Sequence, residues 1–175
     1  MQLAKVTISE GVHAAAGQRA DKPNLAIVAP IVEAAARVLK QMCGQTVTKG
    51  TIHRIRSSQP SAEVSALIAV TGGIAGIVIY SMTHETAVGI ASEMMGERVT
   101  ELDSIAQSAI AELANIITGQ AGISLQKAGI PNDMSPPMLL IGGGAQFATF
   151  NLTRLVVPLV LSTGEFNIDM GIKET

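Results

Sequence analysis

Aromatic residues are nearly missing from the sequence: there is no tryptophan, one tyrosine and three phenylalanines among 175 residues. The core must therefore be built mainly from Ala, Ile, Val, Leu and Met, and the 47% apolar fraction excludes a disordered tail protein. Charge is also scarce, at 15%. The 12 Lys and Arg are scattered and the net charge is −2, so no basic stripe offers a phosphate-backbone footprint and nucleic acid is not expected as a partner. Cysteine occurs once, at Cys43, which excludes an intrachain disulfide framework and reads as a small buried thiol behind a helical pattern. His13, His53 and His84 stand apart and lack carboxylate or cysteine ligands at metal spacing, so no metal is expected to be held by the chain itself.

No secretory signal is expected either. The start carries Lys5 and Glu10, with no unbroken apolar segment before a small-residue cleavage site, and a cytoplasmic location is expected. Residues 64–83 form an uncharged run about as long as a membrane span. Thr71-Gly72-Gly73 breaks that run with a turn signal, and the short β-rich flanks read as two paired strands, so no membrane insertion is expected. Gly142-Gly143-Gly144 follows a strand pattern but lacks the Lys-Ser or Lys-Thr of a phosphate loop, and reads as a flexible connection or bulge.

What is present is periodic. Residues 1–22 form a leader without a clear period, and residues 23–175 are expected to form one domain. In 24–43 the positions Ile27, Ile31, Ala34, Ala35, Val38 and Met42 recur at helical spacing; Gly44 supplies the stop, and Pro30 predicts a late helix start. A partly exposed strand follows over 46–56, then the hairpin of 64–80, a short helix at 84–95 closed by Gly96, and a long helix over 101–127. Three further strands are predicted at 137–141, 152–161 and 166–172, and Pro158 argues that the second lies at an edge or carries a bulge. The order α-β-β-β-α-α-β-β-β predicts an α+β fold with a largely antiparallel sheet. Each half is a helix followed by three strands, and Val70-Thr71-Gly72 matches Ser162-Thr163-Gly164, which suggests two related halves with the two long helices on one face.

The long helix carries the candidate site. At about 100° per residue, Ile105, Ala109, Leu113, Ile116, Ile117 and Ile123 fall on one broad arc, taken as the core face. Ser108, Glu112 and Asn115 fall within roughly 60° of one another on a second arc, which Gly119 and Gly122 continue. Glycine in a helix interior costs about 1 kcal/mol relative to alanine, so two on one face imply that something approaches closely. The spacing alone leaves two readings open: the sheet or the other helix packs there, or another protein docks there.

The run Ser108-Ala109-Ile110-Ala111-Glu112-Leu113-Ala114-Asn115-Ile116-Ile117-Thr118-Gly119 resembles the signature of the CheC, CheX and FliY phosphatases: Asp or Ser, Glu four residues on, and Asn three further. The family places a proline some two dozen residues later, and Pro136 and Pro137 stand close to that position. Gly72 to Met82, Met94-Met95-Gly96 and Ser162-Thr163-Gly164-Glu165-Phe166 are similar to CheX proteins as well, so the likeness covers most of residues 24–173.

The resemblance implies a phosphatase acting on phosphorylated CheY-like response regulators, whose phosphoryl group sits on an aspartate beside a lysine and a divalent metal. Mg2+ would come with the receiver, and no cofactor of this chain's own is implied. Asn115 would hold the attacking water in line, Glu112 would pair with the receiver's lysine, and Ser108, Gly119 and Gly122 would belong to the docking face. Laid on Glu112, Glu33 puts Ala36 where Asn115 stands, so the first helix would be silent, as in CheX. The resemblance also implies a homodimer joined through the sheets. The competing reading is a non-catalytic binding module of a chemotaxis, flagellar-switch or other two-component system, for which FliM proteins provide the precedent.

Overall fold

Asn24 caps the first helix: its side-chain oxygen accepts from the Ala26 amide at 2.9 Å. That helix, α1, runs over Leu25–Cys43 in a computed structural model that describes residues 24–57, 59–143 and 153–175. The leader, His13 and Gly144 lie outside the described residues. Pro30 does not delay the helix start as its position predicted. It sits inside α1, where it removes one donor, and the turn is held by Ile27, Ile31 and Val32, all buried in the core. Gly44 ends the helix as expected, in the left-handed region at φ 64°, with its amide donating to the Lys40 carbonyl at 3.1 Å.

The remaining elements are β1 (Thr48–Lys49), β2 (His53–Arg56), β3 (Val64–Gly72), β4 (Ile74–Met82), α2 (His84–Met95), α3 (Ser104–Lys127), β5 (Asn132–Met134), β6 (Met138–Ile141), β7 (Thr153–Leu161) and β8 (Gly164–Glu174). Among the described residues the eight strands form one antiparallel sheet in the order β1-β7-β8-β4-β3-β5, with β2 also on β7 and β6 also on β3. The uncharged run is the β3–β4 hairpin, and among the described residues no helix is long and apolar enough to cross a membrane.

The register shows the relation between the halves. At the centre β4 and β8 pair antiparallel, from Ile74 opposite Glu174, through Val78 opposite Met170, to Met82 opposite Phe166. Each half also lends its edge to the other. β1 and β2 pair with the β7–β8 hairpin, β5 and β6 with the β3–β4 hairpin, and at both edges the register slips by one residue between the two pieces. Pro158 lies opposite the first of these breaks, where the Gly50 amide donates to its carbonyl at 2.8 Å, so the expected bulge falls on its neighbour rather than on β7 itself.

One face of the sheet carries Val64, Ala66, Ile68, Val70, Val78, Tyr80, Phe166 and Ile168 into a single core shared with all three helices. Cys43 is buried at the end of α1, and burial, with the Glu93 carboxylate adding to it, pushes its thiol up to about 11. At pH 8 only about one molecule in a thousand carries the thiolate. Native protein is therefore expected to resist iodoacetamide at pH 8 and to be alkylated once in urea; mass spectrometry showing fast modification of the native chain contradicts this placement.

Candidate functional site

Asp103 fixes where α3 begins: one side-chain oxygen accepts from the Ile105 amide at 3.1 Å and the Ala106 amide at 2.9 Å. The helix then runs 24 residues, and its buried face is Ala106, Ile110, Leu113, Ala114, Ile117, Thr118, Ala121 and Leu125. This corrects the core arc read from the sequence. Leu113 and Ile117 are buried as expected, but Ile105 is 61% exposed and Ile123 48%, while Ala109 and Ile116 are half-buried. The helix is rotated so that Ala106, Ala114 and Ala121 face inward beside Ile110 and Ile117, since small side chains let it approach its neighbours closely, and Ile105 and Ile123 are left along the flank.

The rotation leaves the polar arc outward. Ser108, Glu112, Asn115 and Gly119 are exposed and Gly122 is half-buried. Ser108 Oγ donates back to the Ser104 carbonyl at 2.8 Å, which makes it part of the helix surface and unlike an activated nucleophile. Beneath this face, Thr118 Oγ1 donates to the Ala114 carbonyl at 2.7 Å. Tyr80 reaches up from β4; burial pushes its phenol up to about 12, against a hydrogen bond with Thr118 that pulls it down. The polar arc thus stands on a helix tied to the middle of the sheet.

The two glycines have different surroundings. A Cβ on Gly122 would come to 3.1 Å from Asn132 Oδ1, and Asn132 Nδ2 donates to the Gly122 carbonyl at 3.1 Å and the Ile130 carbonyl at 3.0 Å. Gly122 is therefore where β5 is clamped onto α3. A Cβ on Gly119 would meet none of the described residues within 4 Å. Both internal packing and an open face are thus present, one at each glycine.

Between α3 and the segment from β5 to Pro136 lies an open cleft of about 300 Å³ that begins at Asn115, passes Gly119 and Ile123, and ends against Asp133 and Ser135. The sequence reading missed its far wall, because Pro131-Asn132-Asp133 looks like a turn and only pairing with β3 makes it a strand. On α1, Glu33 is exposed and Ala36 is half-buried against the core, so no carboxamide stands three residues after that glutamate. Among the described residues no group of His, Cys, Asp or Glu could hold a metal ion. His53 is exposed beside the Thr51 carbonyl, and the His84 amide donates to Glu63 Oε1 at 3.0 Å at the start of α2.

Comparison with known proteins places this surface in context. The family described as chemotaxis phosphatase CheX matches residues 64–168, a span that contains Glu112 and Asn115. The CheY-P phosphatase CheX of Thermotoga maritima is 34% identical over 108 residues, which are 61% of this chain and 70% of that protein. A CheC-like superfamily protein from Shewanella sp. PV-4 superposes with a TM-score of 0.76 at 22% identity, over 86% of this chain and 99% of the other. CheX from a CheX–CheY–BeF3–Mg2+ complex of Borrelia burgdorferi gives 0.69 at 25% identity, over 85% of this chain and 98% of that one.

Proposed function

Because the chain belongs to the chemotaxis phosphatase CheX family, we propose that it hydrolyses the aspartyl phosphate of a CheY-like response regulator by inserting Glu112 and Asn115 into the receiver's active site. The observation that carries this is the outward presentation of both side chains, one helical turn apart, on a helix anchored to the core. The Borrelia burgdorferi relative was solved with CheY, BeF3 and Mg2+, which supports a metal-bound receiver as the partner.

An acyl phosphate already has a good leaving group, and the receiver's Mg2+ neutralises charge on its phosphoryl oxygens, so what is lacking is a water held in line. The water oxygen bonds to phosphorus, the bond from phosphorus to the aspartyl oxygen breaks, and the carboxylate leaves while the water's proton passes to the phosphate product. Asn115 suits the positioning step because a carboxamide is neutral and both donates and accepts, whereas a carboxylate would repel the phosphoryl oxygens. Glu112 pairs with the receiver's lysine and fixes the pose. The chemistry requires no covalent nucleophile, in keeping with a Ser108 hydroxyl turned onto its own helix.

The direct test is the lifetime of a phosphorylated receiver with and without this protein. Shortening at substoichiometric protein is expected, and a complex that forms while the lifetime stays unchanged makes the chain a binding module. The same reading includes a homodimer joined through the sheets, to which Met138 and Ile141, 60% and 46% exposed on β6, supply apolar edge surface. Sedimentation showing only monomer at tens of micromolar would remove that part.

A further inference from the structure

Among the described residues nothing requires glycine at 119. Its φ is not positive, its Cβ would enter open space, and it lies within a 24-residue helix where glycine costs about 1 kcal/mol relative to alanine. Gly122 is explained by Asn132; Gly119 is not. It sits one turn beyond Asn115 at the mouth of the cleft, with the half-exposed Ile123 beyond it and the exposed Asp133 on the facing wall. Among the described residues lining the cleft Asp133 is the charged one, and Glu112 adds a second carboxylate on the adjoining face. An apolar flank beside two carboxylates, with no lysine or arginine in the lining, complements a segment that carries one apolar and one basic side chain.

We infer that this cleft is a second recognition element for the receiver: it admits a main-chain segment of the partner close to Gly119, seats an apolar side chain on Ile123 and holds a basic side chain at Asp133. The inference rests on the proposed function and adds specificity to it. Glu112 and Asn115 serve the phosphorylation site, which any receiver possesses, whereas the cleft reads the sequence beside it and separates one receiver from another.

The decisive variants are Gly119→Met and Asp133→Lys, with Gly119→Ala as a graded control. Gly119→Met is expected to leave the urea midpoint unchanged or raised, since the new Cβ meets none of the described residues within 4 Å, yet to raise KM for the phosphorylated receiver at least tenfold with kcat retained. Asp133→Lys is expected to raise KM severalfold, with a smaller effect at 0.5 M salt. A merely structural glycine would show the opposite pattern, a lowered midpoint with kinetics following the folded fraction.

Binding is measured separately with a receiver loaded with beryllium fluoride and Mg2+, where Gly119→Met should weaken affinity by the same factor. If wild type binds but releases no phosphate, and Gly119→Met still weakens binding, the phosphatase reading fails and the cleft stands. Unchanged KM and affinity in a folded Gly119→Met protein overturns the cleft, whatever the rate of hydrolysis.

Discussion

Asn115→Ala is expected to release phosphate from a phosphorylated receiver about 100-fold more slowly than wild type, while binding the receiver with little change. In free energy that is about 2.7 kcal/mol of transition-state stabilisation. The size follows from what the side chain is asked to do. Asn115 is exposed on α3, so removing its amide empties no core space and should leave stability nearly untouched. The loss therefore reports positioning rather than folding. Asn115→Asp separates positioning from bulk: it keeps the shape but adds a charge beside the phosphoryl oxygens, and should be as slow as alanine or slower. Glu112→Gln should act on the other constant, raising KM by loosening the pairing with the receiver's lysine. An Asn115→Ala protein with wild-type turnover would remove the water-positioning mechanism outright.

Local signals carried much of this architecture into the sequence. Gly44 and Gly96 end their helices at φ 64° and 67°, and the Thr71-Gly72-Gly73 turn lies at the tip of the β3–β4 hairpin, because caps and turns are decided by a few neighbouring residues. The rotation of α3 was misread for a different reason. Hydrophobicity favours isoleucine over alanine, yet close packing turned Ala106, Ala114 and Ala121 inward and left Ile105 and Ile123 outside. Pro30 likewise has a strong local meaning that the burial of its neighbours overrides. β5 was invisible because Val70 and Met134 meet only through the tertiary fold, and with β5 went the cleft wall that contains Asp133. That Glu112 and Asn115 share an outward helix face was legible, since a helix brings residues three apart together without outside help.

The second large effect lies on the far side of the sheet, where none of the described helices packs. Arg154 on β7 and Asp169 on β8 are fully buried, with Nη2 and Oδ2 3.9 Å apart. Ser61 Oγ donates to Asp169 Oδ2 at 2.6 Å, and Arg154 Nη2 donates to the Gln59 carbonyl, so the pair ties the chain before β3 onto the sheet. Burial pushes the Asp169 carboxyl up and the Arg154 guanidinium down, and each partner's charge opposes that shift in the other. Removing one partner leaves the other charge buried without compensation. Arg154→Met is therefore expected to cost about 3–5 kcal/mol, seen as a lowered urea midpoint and a fall of roughly 10 °C in melting temperature. The double change Arg154→Met with Asp169→Leu should recover most of that loss, because the pair is long and Arg154 Nε and Nη1 have no hydrogen-bond partner among the described residues. A single variant that loses less than about 1 kcal/mol would mean that solvent reaches the pair. A double variant no better than the single would instead assign the stability to the hydrogen bonds with Ser61 and Gln59. With the pair intact and Asn115 replaced, stability and phosphate release should vary independently, as expected if the far face of the sheet holds the fold and α3 performs the chemistry.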